Sequence, residues 1–257
     1  MILIISMIAC NGKENNPLLT EWDTPFQAPP FEQIENEHYL PAFKTAIKNA
    51  ESEISAIVEN SEKPGFENTV VALELSGKQL TRISNVFFNL EEAETNDTLQ
   101  DIAHEVAPLL AKFNNDLYLN KRLFAKIREV RENVSQLSEL TGEQKMLIEE
   151  TYSSFVRNGA NLSEPDQQQL REISEQLALL TLIFGQNVLA ATNAWTLHVT
   201  DEKDIKGLPE GIADAAREEA KDSELDGWLF TLHQPSYAPF LKYADNRELR
   251  EKIYRAY

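Results

Sequence analysis

The sequence contains four histidines, His38, His104, His198 and His233, and one cysteine, Cys10. These residue types bind metals or act as bases and nucleophiles near neutral pH, so their spacing decides which reactions are open to the chain. "HEVAP", His104 to Pro108, comes nearest to a metal-binding helix. A zincin helix needs His at i and i+4, which sets two imidazoles on one face with Glu as the general base. Here the i+4 residue is Pro108, which offers a metal no donor atom, so His104 and Glu105 are expected on a helix surface. No G-x-S-x-G elbow, phosphate-binding glycine loop or dinucleotide fingerprint occurs. Glu91-Glu92, Glu149-Glu150 and Glu218-Glu219 are adjacent pairs that diverge on a helix and read as solvated surface. Phe87, Phe88 and Phe113 fall on helical segments and are expected in a core. His233 precedes "QPSY" and is expected in a loop, at most at the edge of a cleft. No catalytic residue and no metal ligand is assigned within this chain.

Cys10 reads differently because of what surrounds it. Residues 1–9, "MILIISMIA", are almost wholly apolar, and "CNGKENNP" then turns abruptly polar. The run is shorter than the roughly 20 residues that span a bilayer, and it fits the apolar region of a signal peptide. Met7-Ile8-Ala9-Cys10 resembles a bacterial lipobox, in which the cysteine is lipidated and becomes the mature N-terminus. Met7 stands where leucine is commoner, and no basic residue precedes the run; a start codon assigned too late would explain the second departure. The alternative is a buried N-terminal strand with an ordinary core cysteine. The lipobox implies an exported protein of the bacterial cell envelope, periplasmic or membrane-anchored through Cys10. A single cysteine also excludes an internal disulfide and a Cys-based zinc site.

Composition narrows the partners. The 257 residues, 42% of them hydrophobic, suffice for one large or two ordinary domains. With 24 basic and 42 acidic residues the net charge is −18, which argues against nucleic acid, whose phosphates require clustered Lys and Arg. The acids are spread through helical segments, as on a soluble acidic surface.

The elements that must position any site are mainly helical. Pro17, Pro25, Pro29 and Pro30 rule out a long helix over residues 11–34, which reads as an extended arm anchored by Trp22, Phe26 and Phe31. Residues 35–194 read as a helical lobe. Tyr39, Phe43, Ile47, Ala50, Ile54 and Ile57 hold one helical period, and Pro64-Gly65 breaks it. Asn68 is read as the cap of a second helix running through Leu73, Leu80, Ile83 and Phe87. A third starts near Asp97, with Pro108 as a kink, and Asn120 caps a fourth. Residues 143–157 form a fifth, closed by Asn158-Gly159. Ser163-Glu164-Pro165-Asp166 opens a long helix reaching about Asn193, with Leu170, Ile173, Leu177, Leu180 and Phe184 in period. From about residue 195 the pattern alternates. Strands near Trp195–Val199 and Trp228–Leu232, with a helix at 209–220 between them, predict a small sheet in a second region, 195–257. Asn246 caps a last helix through Leu249, Ile253 and Tyr257 that shows no closing signal. The expectation is that the chain is cut within that helix and that its apolar stripe has lost partners.

Several stretches in order resemble the N-terminal part of the zinc metallopeptidases of the thimet oligopeptidase family. They are "NPLL" with "WDTPFQAPPFEQI", "EHYLPAF", "FENTVVALELSG", "RISNVFFNL", "FVRNGANL", "IFGQNVLAATN", "GLPEGIADAA" and "PSYAPFLKYADNRELREKIYRAY". The resemblance runs from about Asn16 to Tyr257, and "PPFEQIENEHYLPAF" favours the peptidyl-dipeptidase branch. It implies a mainly α fold, the multi-helix N-terminal lobe of a prolate two-lobed peptidase with a deep channel. It implies one zinc in the full-length protein, held by an H-E-x-x-H helix and a further Glu, with the motif Glu as general base on a zinc-bound water. Short peptides are the implied substrates, cleaved to release C-terminal dipeptides, and the protein is expected to be a monomer. No residue here matches a family zinc ligand or catalytic residue. The chain alone is therefore expected to bind no zinc and to be inactive. Two other readings are a stand-alone exported helical module that binds peptides or an envelope protein, and a purely structural lipoprotein.

Overall fold

The computed structural model describes residues 16–133 and 139–257. The lipobox and Cys10 lie outside the described residues. The chain divides into two compact units, one ending at Leu180 and the other running Thr181–Tyr257.

The first unit is built of helices. Helix α1, Asn36–Glu59, starts with a reciprocal cap in which the Glu35 amide donates to Nδ1 of His38 at 2.9 Å. Its buried residues, Tyr39, Ala42, Phe43, Ala46, Ala50, Ile54, Ile57 and Val58, keep the helical period read from the sequence. The next helical stretch departs from expectation. A π-helical turn, Phe66–Val71, runs into the short α2, Ala72–Leu75, and the chain then breaks. Ser76 is extended and Gly77 takes a left-handed φ of 67°, so α3, Lys78–Ala93, is a separate helix. A residue with a Cβ avoids that φ, which is why a glycine marks the break. The Asn68 side chain accepts from the Gly65 amide at 2.8 Å, at the start of the π turn.

Helix α4, Asp97–Tyr118, runs through Pro108 and is capped by Asn96, whose Oδ1 accepts from the Leu99 amide at 3.0 Å. Helix α5, Lys121–Glu132, is capped in the same way by Asn120 and buries Leu123, Phe124, Ile127 and Val130. Thr141 and Gln144 cap α6, Gly142–Arg157, reciprocally. Helix α1 packs on α3, α4 and α5, and α5 packs on α6. At the α1–α3 contact Phe87 meets Tyr39, Phe43 and Phe88 edge to face, at ring separations of 5.0, 5.4 and 5.1 Å. Ile54, Ile57 and Val58 of α1 join Leu123, Phe124, Ile127 and Phe155 in a second cluster.

Part of the arm behaves as expected and part does not. Leu18 is fully buried, and Arg82 donates to the carbonyls of Leu18 and Thr20 at 3.2 and 2.7 Å. The same guanidinium lies 4.4 Å above the Trp22 ring, whose Nε1 donates to the Pro17 carbonyl at 2.8 Å. Trp22 is thus an anchor. Phe26 and Phe31 are not: they are 103% and 54% exposed, and Phe26 has a left-handed φ of 59°. The prolines fix a path of short 3-10 turns that carries both rings outward.

Helix α7, Glu164–Ala194, follows the predicted start at Ser163, whose hydroxyl bonds to Asp166 at 2.6 Å. The division between the units falls inside it. The period was legible, but burial does not follow it: Ile173, Leu177, Leu180 and Phe184 are 51, 59, 63 and 70% exposed.

In the second unit β1, Thr196–Val199, pairs antiparallel with β2, Trp228–Thr231, with Val199 opposite Trp228 and Leu197 opposite Phe230. Between them lies α8, Glu210–Asp222. A further helix, α9, Gln234–Tyr243, follows β2, with His233, expected in a loop, just before it. Pro235 sits in its first turn, where its missing N–H costs nothing. Helix α10, Arg247–Ala256, is capped by Asn246 through the Leu249 amide at 3.1 Å. Only part of its stripe is covered within this unit: Leu249 is half-buried and Ile253 buried, while Tyr257 is 75% exposed. Ile253 is fully buried with Phe230 and Phe240, whose rings meet at 4.6 Å, and Tyr257 lies 4.6 Å from Tyr237.

Candidate functional site

Helices of the first unit line a groove of about 610 Å³ between α3, α4, α6 and the break at Ser76-Gly77. Helix α4 presents Leu110, Phe113, Leu117 and Tyr118 to it, and α6 presents Leu147, Thr151, Ser154 and Phe155. Both sets run at i, i+3 or i+4, i+7 and i+8, so each helix turns one continuous face inward. Because α2 stops at Leu75, Leu73 and Glu74 can line one end while Leu80, Thr81 and Ser84 of α3 line the other side. A continuous helix through Gly77 would not shape this end. The groove was not legible in the sequence, since its walls come from helices that are far apart in the chain.

Its lining mixes apolar side chains with hydroxyls. Among the described residues Glu74 and Glu150 are the only carboxylates on it, and no described histidine, cysteine, lysine or arginine lines it. The Ser76 and Thr151 hydroxyls donate to the carbonyls of Leu73 and Leu147, each at 2.7 Å. These bonds occupy their protons within their own helical turns.

The residues singled out from sequence are scattered. His104 and Glu105 lie on α4, and Glu105 forms an exposed ion pair with Lys44 at 3.9 Å. His38 is used in the α1 cap. In the second unit His198 Nε2 lies 2.6 Å from the Asp226 carbonyl, and His233 Nε2 lies 3.0 Å from Asn193 Oδ1 at the start of α9. Among the described residues no group of three or more His, Cys, Asp or Glu is placed to hold a metal ion. The donor set present does not fit a zinc site, and no step through zinc is derived from it.

The clearest electrostatic cluster is structural. Asp116 of α4 accepts from Lys112 Nζ at 2.5 Å and from Arg171 Nη1 of α7 at 2.6 Å. Burial would raise the Asp116 carboxyl, but the hydrogen bonds and charges of Lys112 and Arg171 outweigh it and hold it below the ordinary aspartate value. The hydrogen bond to Asp116 in turn raises Lys112. A folded carboxyl below its unfolded value stabilises the protein at neutral pH, and that contribution vanishes as pH falls through the folded value. The raised lysine contributes fully below its ordinary value and loses this as pH rises through the raised one. Asp116 is 40% exposed, so screening limits the effect. Asp116→Asn is expected to cost under about 1 kcal/mol at neutral pH, with the gap to wild type closing in acid. Urea midpoints measured from neutral to strongly acid pH test this; a gap that widened in acid would reverse the sign.

The first unit is thus a helical module with a groove lined by apolar side chains, hydroxyls and two carboxylates. Comparison with known proteins places that module. No protein-family model matches the chain. It is 38% identical to dipeptidyl carboxypeptidase of Escherichia coli (strain K12), over 94% of this chain and 35% of that protein. It is 33% identical to oligopeptidase A of the same organism, again over 94% of this chain and 35% of the relative. To the chloroplastic/mitochondrial organellar oligopeptidase A of Arabidopsis thaliana it is 29% identical, over 98% of this chain and 32% of the relative. The chain is a relative of the thimet-family metallopeptidases and corresponds to an N-terminal part of them. It spans about a third of the length of the curated relatives it matches.

Proposed function

We propose that this chain is the non-catalytic N-terminal portion of a zinc-dependent peptidyl-dipeptidase, a protein that releases dipeptides from the C-termini of short peptides. The observation that carries this reading is the pattern of similarity, which takes in 94% of this chain yet only 35% of the dipeptidyl carboxypeptidase. The branch is supported by the higher identity to that relative, 38% against 33% for oligopeptidase A. In this reading the zinc, its ligands and the general base belong to the portion that the chain does not span. The helical unit supplies binding surface, and the whole protein works as a monomer in the bacterial cell envelope, anchored through a lipid on Cys10.

The chain alone is expected to release no dipeptide from a C-terminally free peptide in the presence of zinc, and to retain no stoichiometric zinc after dialysis. Mass spectrometry of the peptide and metal analysis of the protein decide both points, and measured turnover overturns the reading. Expression in a bacterial host with labelled fatty acid tests the anchor. A Cys10→Ala form that still took up label would remove Cys10 as the lipid site.

A further inference from the structure

Helix α7 carries no charged side chain from Gln176 to Ala194. Along it Ile173, Leu177, Leu180, Phe184 and Val188 recur at i, i+4, i+7, i+11 and i+15, a single stripe. They are 51, 59, 63, 70 and 49% exposed. On the opposite side Ala178, Leu179, Leu182 and Leu189 are intermediate in exposure. A helix that is apolar on opposite sides belongs in the interior of something larger, and here none of its most apolar window is buried.

Two kinds of surroundings suit such a helix, a bilayer or more protein. By length and composition α7 can cross a membrane, with a mean hydropathy of 1.4 in its most apolar window. Its details disfavour lipid. The exposed Asn187 sits near the middle of the charge-free stretch, the depth where a polar amide is most costly. The ion pair between Arg171 and Asp116 at 2.6 Å also holds the start of the helix against α4, in protein surroundings. Protein can satisfy an amide beside an apolar stripe, and hydrocarbon cannot.

From this we infer that the stripe is the seat of an apolar surface contributed by the remainder of the same polypeptide, the two thirds that the curated relatives have and this chain does not span. The inference rests on the proposed function. That remainder closes over α7 and makes it an interior helix.

The test uses Cys10→Ser chains carrying Leu177→Cys or Val188→Cys, both at exposed positions that tolerate a smaller side chain. Thiol modification rates are compared in this chain, in the same chain with phosphatidylethanolamine–phosphatidylglycerol vesicles, and in the longer product of the same reading frame. Rates at least tenfold slower in the longer product, unchanged by vesicles or by dilution, are expected. Protection by vesicles alone identifies the occupant as lipid, and protection that dilution abolishes identifies it as a second copy; either overturns the inference. A longer product whose thiols react as fast as those of this chain overturns the inference alone. A reading frame that stops at Tyr257 overturns both it and the function on which it rests.

Discussion

Replacing Phe87 by alanine is expected to lower the stability of the first unit by about 4 kcal/mol, within the range for aromatic truncation in a core. The ring is fully buried and lies between α1 and α3, meeting Tyr39, Phe43 and Phe88 at 5.0 to 5.4 Å. Truncation removes its transfer energy and the edge-to-face contacts, and it leaves a hole that the remaining rings can only partly fill. These contributions share the same atoms, so they are not summed separately. Phe26→Ala is the matched control. Its ring is 103% exposed, and the change is expected to stay within about 0.5 kcal/mol. Urea unfolding of the two variants, followed by far-UV circular dichroism, compares them directly. Equal midpoints would show that the aromatic cluster is not what joins α1 to α3.

The second large effect is expected in the other unit. Gly227 has a φ of 92°, and a Cβ built there would lie 2.3 Å from the Val199 carbonyl oxygen and 3.1 Å from the Thr200 Cα. Both obstacles are backbone, and Val199 is paired with Trp228, the next residue. The strand cannot retreat without breaking the ladder, and the left-handed conformation opposes any side chain in its own right. Gly227→Ala should therefore cost about 3 kcal/mol or more and uncouple β1 from β2. Gly142 provides the contrast. It lies in the first turn of α6, and an added Cβ would meet nothing within 4 Å. Gly142→Ala should be neutral or stabilising by up to about 1 kcal/mol. Thermal unfolding of both proteins ranks them; a Gly227→Ala protein as stable as wild type would mean that the strands can shift register to admit the methyl.

Much of the helical fold was legible because caps and periods are local. Asn120 and Asn246 cap the helices assigned to them, and Ser163 opens α7. The two strands fall where alternation placed them. What local pattern does not carry is whether a partner is present. Ile173, Leu177, Leu180 and Phe184 have the spacing of a buried face and stand in the open, since spacing describes the helix and burial describes its neighbours. The break at Ser76-Gly77 was hidden by apolar residues that keep a helical period on either side of it. Helix α9 carries Pro235 and Pro239, the first at a tolerated position in its opening turn, and its ten residues offer little helical period to read. The family was legible from ordered motifs, whereas the groove was not, because three separate helices and a chain break build it.

The contact of Arg82 with Trp22 has an optical consequence. Of the three tryptophans, Trp22 belongs to the first unit, while Trp195 and Trp228 belong to the second. A Trp195→Phe, Trp228→Phe protein would emit from Trp22 alone, and its spectrum would report whether the arm remains seated on α3 through the guanidinium 4.4 Å above the ring. The opposite replacement, Trp22→Phe, leaves emission only from residues beside the β1–β2 ladder. Each unit thus carries its own fluorophore, and the two melting curves can be recorded separately from one polypeptide.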